Sequence, residues 1–204
     1  MSEPRLTAAP EAHAVFAADL EAVLRTNPDL ATLLDRFAEL ALPEAWIVAG
    51  CLAQTVWNQL FALPPGHGIA DIDLVYFDPD LSEATEAAHE ARLHDLFPAV
   101  SARLDVKNQA RVHQWYETKF GRPLAPYNSV PQAIATYPTT ATSVGVRISN
   151  GNLEFCAPFG LADLLGAIVR PNRALVTEAV YNAKTTRWRD LWPGLDIIPW
   201  QQAG

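Results

Sequence analysis

Asp71 and Asp73 stand two residues apart in the run IADIDLVYFD, residues 69–78, which otherwise has the composition of a buried β-strand. Residues i and i+2 of a strand point to the same face. Two carboxylates side by side there repel unless something positive lies between them. A third aspartate, Asp105, falls in AVSARLDVK, residues 99–107. There Val100, Ala102, Leu104 and Val106 alternate with Ser101, Arg103, Asp105 and Lys107, the period of two that marks a strand with one polar face. If the two strands are neighbours, three carboxylates converge. Hard oxygen ligands with positions left open for phosphates suit Mg²⁺, or equally Mn²⁺. Without a cation, one carboxylate of such a cluster tends to keep its proton.

A phosphate-binding partner for that cluster lies upstream. AWIVAG, residues 45–50, is short, apolar and closed by Gly50, and CLAQTVWNQLF then takes up helical spacing through Leu52, Val56 and Leu60. A glycine where a strand passes into a helix lets a phosphate approach the backbone, and the helix start offers free N–H groups and partial positive charge. Gly50 and Cys51 are therefore candidate phosphate contacts through the backbone. Lys107, Arg111 and His113 are candidate contacts to phosphate or acceptor, although Arg111 is equally suited to hold Asp105 or a helix end. The basic clusters RPNR (170–173) and KTTRWR (184–189) could line a phosphate cleft or simply face water. Arg147, in a hairpin strand, is placed within reach of the cleft. Strand, glycine, helix and a D-x-D strand together make a workable nucleoside triphosphate site. Metal-neutralised charge at the α-phosphate would assist attack and loss of pyrophosphate.

The elements that must position these residues are legible in outline. Residues 1–43 read as a helical hairpin, with Phe16, Leu20, Val23 and Leu24, then Leu30, Leu33, Leu34 and Phe37, at helical spacing. Asn27-Pro28 supplies an N-cap followed by proline at the first helical position, and Pro43 closes the second helix. Residues 44–204 read as the domain that carries the site. LPPGHG is a turn with a solvated His67, and DPDLSEATEAAHEARLHDLF is a helix with Asp80 and Glu83 as a capping box. Asp78 orients the turn with Pro79. NQARVHQWYETKFG is helical, TATSVGVRISNGNLEFCAP is a hairpin turning at Asn150-Gly151, and residues 159–188 are mostly helix interrupted by RPN. Trp57, Trp115, Trp188 and Trp192 read as packing residues, and His89 and His94 lack the paired spacing of a zinc site. Alternating strands and helices plus one hairpin make an α/β (α+β) fold with a mixed sheet.

Composition narrows the function classes. The 204 residues are 50% hydrophobic and 19% charged, enough for a sizeable core. No apolar run approaches the roughly 18 residues of a membrane span, and the N-terminal stretch has no basic start with an apolar run behind it. Cys51 and Cys156, the two cysteines, make no disulfide framework. A cytoplasmic protein with both thiols reduced is expected. The formal net charge of −8 argues against extended nucleic acid as a partner, because phosphate neutralisation supplies most of that affinity.

The segments AGCLAQTVW and DIDLVYFD with the later Asp105 resemble the nucleotidyltransferase fold of the DNA polymerase beta superfamily. That pattern is an apolar residue, Gly, then Gly or Ser, followed by D-x-[DE] and a third acidic residue. DVKNQARVHQWY, APFGLADLLGAIVRPN and WPGL narrow the resemblance to a bacterial nucleotidyltransferase-like group of undefined substrate, from about residue 46 to 199. The resemblance implies metal binding by Asp71 and Asp73, with Asp105 as third carboxylate helping to deprotonate the acceptor. Gly50 and Cys51 would then lie in the phosphate-binding turn. It implies Mg²⁺ or Mn²⁺ as cofactor, an NTP as donor, and a small-molecule or macromolecular acceptor. Two departures stand out: Cys51 replaces the usual Ser or Gly, and the gap from Gly50 to Asp71 is long. They motivate the alternative of a catalytically degenerate nucleotide-binding or regulatory module with a protein partner.

Overall fold

Two neighbouring parallel strands require a long crossover, and the helix between the D-x-D strand and the Asp105 strand provides one. The computed structural model describes residues 19–202. Strands β1 (Trp46–Val48), β2 (Asp71–Tyr76), β3 (Arg103–Asn108), β4 (Gly145–Ser149) and β5 (Asn152–Cys156) form one mixed sheet in the order β3-β2-β1-β4-β5. β2 and β3 are parallel, and the other neighbours are antiparallel. The helices are α1 (Pro28–Asp35), α2 (Gly50–Leu60), the crossover α3 (Glu83–Leu96), α4 (Val112–Phe120), α5 (Val130–Ile134), α6 (Ala162–Leu165) and α7 (Glu178–Leu191). A short parallel pair, β6 (Ile168–Val169) and β7 (Asp196–Ile197), closes the chain's C-terminal half. The mixed sheet flanked by helices is the fold class that the sequence predicts.

The strand alternation divides the sheet into unlike faces. Ile47, Ile72, Leu74, Leu104, Val106 and Val146 are buried on one face in the main core, which also takes in Leu52, Val56 and Trp57 of α2. The N-terminal helices pack on the same core through Leu20, Leu24, Leu30, Leu33 and Leu34. On the other face Trp46, Val48 and Val75 are covered by Val130 and Ile134 of α5. Asp71, Asp73 and Asp105 stand on that second face.

Several local expectations are met and several corrected. Asn27 caps α1 through bonds from Asp29 N and Leu30 N, and Asn150 and Gly151 turn the hairpin at φ 50° and 77°. Helix α1 ends at Asp35, and a 3-10 turn over Phe37–Leu40 intervenes before Pro43. Helix α3 starts later than predicted. Ser82 is its N-cap, and Asp80 instead accepts from Ser82 N and the Thr85 hydroxyl. Between residues 159 and 177 the helix is only the four residues of α6, because the chain diverts to pair β6 with β7. The opening of the predicted N-terminal hairpin, with Phe16, lies outside the described residues. Among the described residues no helix is long and apolar enough to cross a membrane.

Candidate functional site

The strand order brings the carboxylates together. In the β2–β3 register Asp73 lies opposite Asp105, and Asp71 lies opposite Arg103 on the same face. Asp71 is exposed, with Arg103 Nη2 at 3.5 Å from its Oδ2. Asp73 is half-buried. Burial, then the charges of Asp71 and Asp105, lift its pKa from 3.8 to about 7, against the pull of Lys184 and Lys107. A carboxylate so placed has more negative neighbours than the protein neutralises.

Lys107 lies between two acids. Its Nζ is 2.7 Å from Asp105 Oδ1 and 3.4 Å from Glu90 Oε2. Burial works against its charge, yet the bond to Asp105 and the fields of Asp105, Glu90 and Glu86 carry it above the ordinary lysine value. Asp105 is therefore held by a lysine, while Asp71 faces the exposed Arg103 at 3.5 Å. Consistent with that pairing, no three acidic, histidine or cysteine side chains among the described residues stand together as a ready metal cage. The donor set still fits Mg²⁺, which is held by one or two carboxylates and keeps its remaining positions for water and phosphate.

Arg111 lies elsewhere. It is buried, with Nη1 2.6 Å from Glu86 Oε1 and Nε donating to Leu81 O. Glu86 also accepts from the Asn108 amide at 2.7 Å. This pair ties α3 to the end of β3, the helix-holding alternative for Arg111. Arg147 bonds Glu154 at 2.6 Å and lies over the Trp46 ring, outside the cleft. Cys51 is 1% exposed, and its Sγ donates to Val48 O at 3.4 Å. Its thiol faces the core, and burial with the nearby Asp73 charge pushes its pKa well up. Any phosphate contact at Cys51 thus falls to the backbone.

The strained residue of the strand-to-helix turn is Ala49, not Gly50. Ala49 has φ 63° and ψ −124° and caps α2 without a side-chain bond. A Cβ on Gly50 would meet only the Gln54 amide, at 3.3 Å. Ala49 N is fixed by Val144 O at 2.9 Å, which ties the start of α2 to the segment leading into β4.

A cavity of about 360 Å³ opens over that face. Its floor includes Asp73, Val75, Asp105 and Lys107. Lys184, from α7, lines it from above and is half-buried. Burial and then Arg187 lower the Lys184 pKa, against the fields of Asp73 and Asp71, and the residue shares the cavity with Asp73 and Asp105. The sequence flagged this residue only as part of a basic cluster.

Packing explains why α7 comes so close. The loop of the long Gly50–Asp71 gap clasps the end of α7: His67 Nε2 is 3.0 Å from Leu191 O, and Gly68 lies under Trp192 where a Cβ would be 2.5 Å from the ring. Trp192 donates to Asn58 Oδ1 at 2.7 Å, and both Trp188 and Trp192 meet Trp57 edge-on. His67 is thus a staple, where the sequence suggests a solvated residue. Asn172 is buried and donates to Ala135 O and Tyr137 O, holding the segment that contributes Tyr137 to the cavity. Trp115 differs from Trp57, Trp188 and Trp192, for it lines the cavity.

A family model described as "Nucleotidyltransferase" matches residues 35–197. No curated protein matches the chain. Among solved structures, a protein whose NMR structure reveals a CCA-adding enzyme head domain is 29% identical. The likeness covers 89% of this chain and 95% of that one, at a TM-score of 0.74. A Thermotoga maritima CCA-adding enzyme complexed with tRNA is 14% identical over 97% of this chain at a TM-score of 0.44, and this chain spans 42% of its length.

Proposed function

Because the chain belongs to the nucleotidyltransferase family, we propose that it transfers a nucleoside monophosphate from an NTP to a hydroxyl-type acceptor in a reaction that depends on Mg²⁺ or Mn²⁺. The observation that carries this reading is the meeting of Asp73 and Asp105 across adjacent strands, with Asp71 on the same face and Lys184 above. Asp71 and Asp73 would hold the metal, with Asp105 as third carboxylate. When bound, the metal would supply charge neutralisation at the transferring phosphate.

The protein's own groups account for the rest. The N–H groups that start α2 and the Lys184 ammonium favour phosphate oxygens on the Asp71 side. Asp105, 26% exposed, would accept the acceptor's proton, with Lys107 at 2.7 Å holding that carboxylate in position. Labelled NTP, Mg²⁺ and candidate acceptors incubated with the protein should yield a nucleotidylated product and pyrophosphate. Equal turnover by an Asp71→Ala, Asp73→Ala protein would refute this.

The same Lys107–Asp105 bond favours a second reading. An ammonium that permanently neutralises the third carboxylate would leave a nucleotide-binding module that does not turn over, working through a protein partner. NTP binding without product from any acceptor, together with a stably co-purifying chain, would select it.

A further inference from the structure

The cavity over the acidic face has two unlike ends. Near Asp73 it is charged. Beyond Lys107 it is walled by Val112, Trp115 and Tyr116 of α4, with Tyr127 and Leu175 opposite. The Trp115 and Tyr116 rings are 6.3 Å apart, and Tyr116 and Phe120 are 4.7 Å apart. About 360 Å³ lies within the range of small-ligand sites, roughly 300–1,000 Å³.

An NTP is one continuous molecule. With its phosphates at Asp71, Asp73 and the start of α2, its nucleoside has to lie against surface that adjoins Asp73. The aromatic end of this cavity is that surface. An acceptor is under no such constraint, because Asp71 and Arg103 stand exposed at the other end of the face, their side chains 52% and 61% accessible. On the strength of the donor reading given above, we infer that the aromatic wall of Trp115, Tyr116 and Tyr127 seats the base of the NTP by stacking.

Stacking makes the seat tolerant of base identity, and several of its polar groups already have partners. Tyr127 Oη is 2.6 Å from the Thr136 hydroxyl, which in turn donates to Ala133 O. Gln109 Nε2 donates to Lys107 O, Arg122 Nη1 donates to Leu175 O at 3.1 Å, and Thr177 accepts from Val180 N as the cap of α7. Stacking without directed hydrogen bonds discriminates little, since every base has a π-face.

Calorimetric titration of ATP, GTP, CTP, UTP and inorganic tripolyphosphate, each with Mg²⁺, tests the assignment. The four NTPs should bind the unaltered protein within about tenfold of one another. Trp115→Ala should weaken all four by about 5- to 150-fold, with Trp115→Phe retaining most of the affinity and tripolyphosphate unaffected. Lys184→Met should weaken tripolyphosphate and NTPs alike. Tyr116→Ala, on the same wall, is a second probe read in the same way. The assignment is overturned if the NTPs bind normally to both aromatic variants, which would give the cavity to the acceptor. It is also overturned if Trp115→Ala weakens tripolyphosphate as much as the NTPs, or if one base is preferred by more than about a hundredfold. Failure of the unaltered protein to bind either NTPs or tripolyphosphate would instead sink the donor reading, and the seat with it.

Discussion

Asp73→Asn keeps the side chain's shape and removes its charge, and it should stabilise the metal-free protein at alkaline pH. The fold raises this carboxyl from 3.8 to about 7, through burial and then the charges of Asp71 and Asp105. In the unfolded chain the group titrates near the ordinary value of about 3.9. The native state therefore binds the proton more tightly. Stability falls as pH climbs from about 4 to about 7, and above that the destabilisation is complete. At about 1.4 kcal/mol for each tenfold change in acidity, the ceiling is about 4 kcal/mol. Water reaching a half-buried site reduces this to an expected ~2 kcal/mol. In a chain of this size that is a rise of about 4–8 °C in Tm. Thermal unfolding followed by circular dichroism, in chelator, near pH 8 and near pH 4, measures it. The variant should be the more stable near pH 8 and no more stable near pH 4. Mg²⁺ added near pH 8 should raise the Tm of the unaltered protein and leave the variant where it was. An Asp73→Asn protein less stable than the parent near pH 8, or one with the same offset at both pH values, would refute the electrostatic account of the site.

Two further substitutions separate architecture from chemistry. Arg111→Ala leaves Glu86 buried without its partner, since both side chains are only 9% accessible. It should cost about 3–5 kcal/mol, measured by urea denaturation, whereas Arg111→Ala with Glu86→Gln should recover part of the loss. Ala49→Gly relieves a left-handed backbone at φ 63° and should add about 1 kcal/mol of stability, visible as a Tm higher by about 2–4 °C.

The acidic strands were legible because their chemistry and their packing follow one period. Asp71, Asp73 and Asp105 alternate with Ile72, Leu74, Leu104 and Val106, so the residues buried in the core fix which way the carboxylates point. Asn27 and Asn150-Gly151 were legible for a similar reason, since a cap and a tight turn are set within a few residues. Lys184 was not, because its position depends on α7 being held 134 residues away from its own sequence neighbourhood, by the bond from Trp192 to Asn58. Arg111 was open to two readings for the same cause: only the tertiary fold shows that the acid beside it is Glu86 of α3. Trp115 belongs to a helix of mixed polarity, where a ring facing a cavity and a ring facing a core have the same spacing.

The long loop between Gly50 and Asp71 shows how the two kinds of information connect. In sequence it is a departure that separates the phosphate turn from the D-x-D strand. In the fold the two stay adjacent, because β1 and β2 pair directly, with Val48 opposite Asp73. The loop forms a clasp: Asn58 Nδ2 donates to Pro65 O and His67 O, and His67 reaches Leu191 O. That clasp fixes the end of the helix from which Lys184 extends over the carboxylates. Closing a long surface loop is cheap in entropy, and this one docks the C-terminal helix on the site. A cation held that way depends on Trp57, Trp188 and Trp192 packing as a unit, and so the tryptophan cluster on one face of the sheet sets the charge balance on the other.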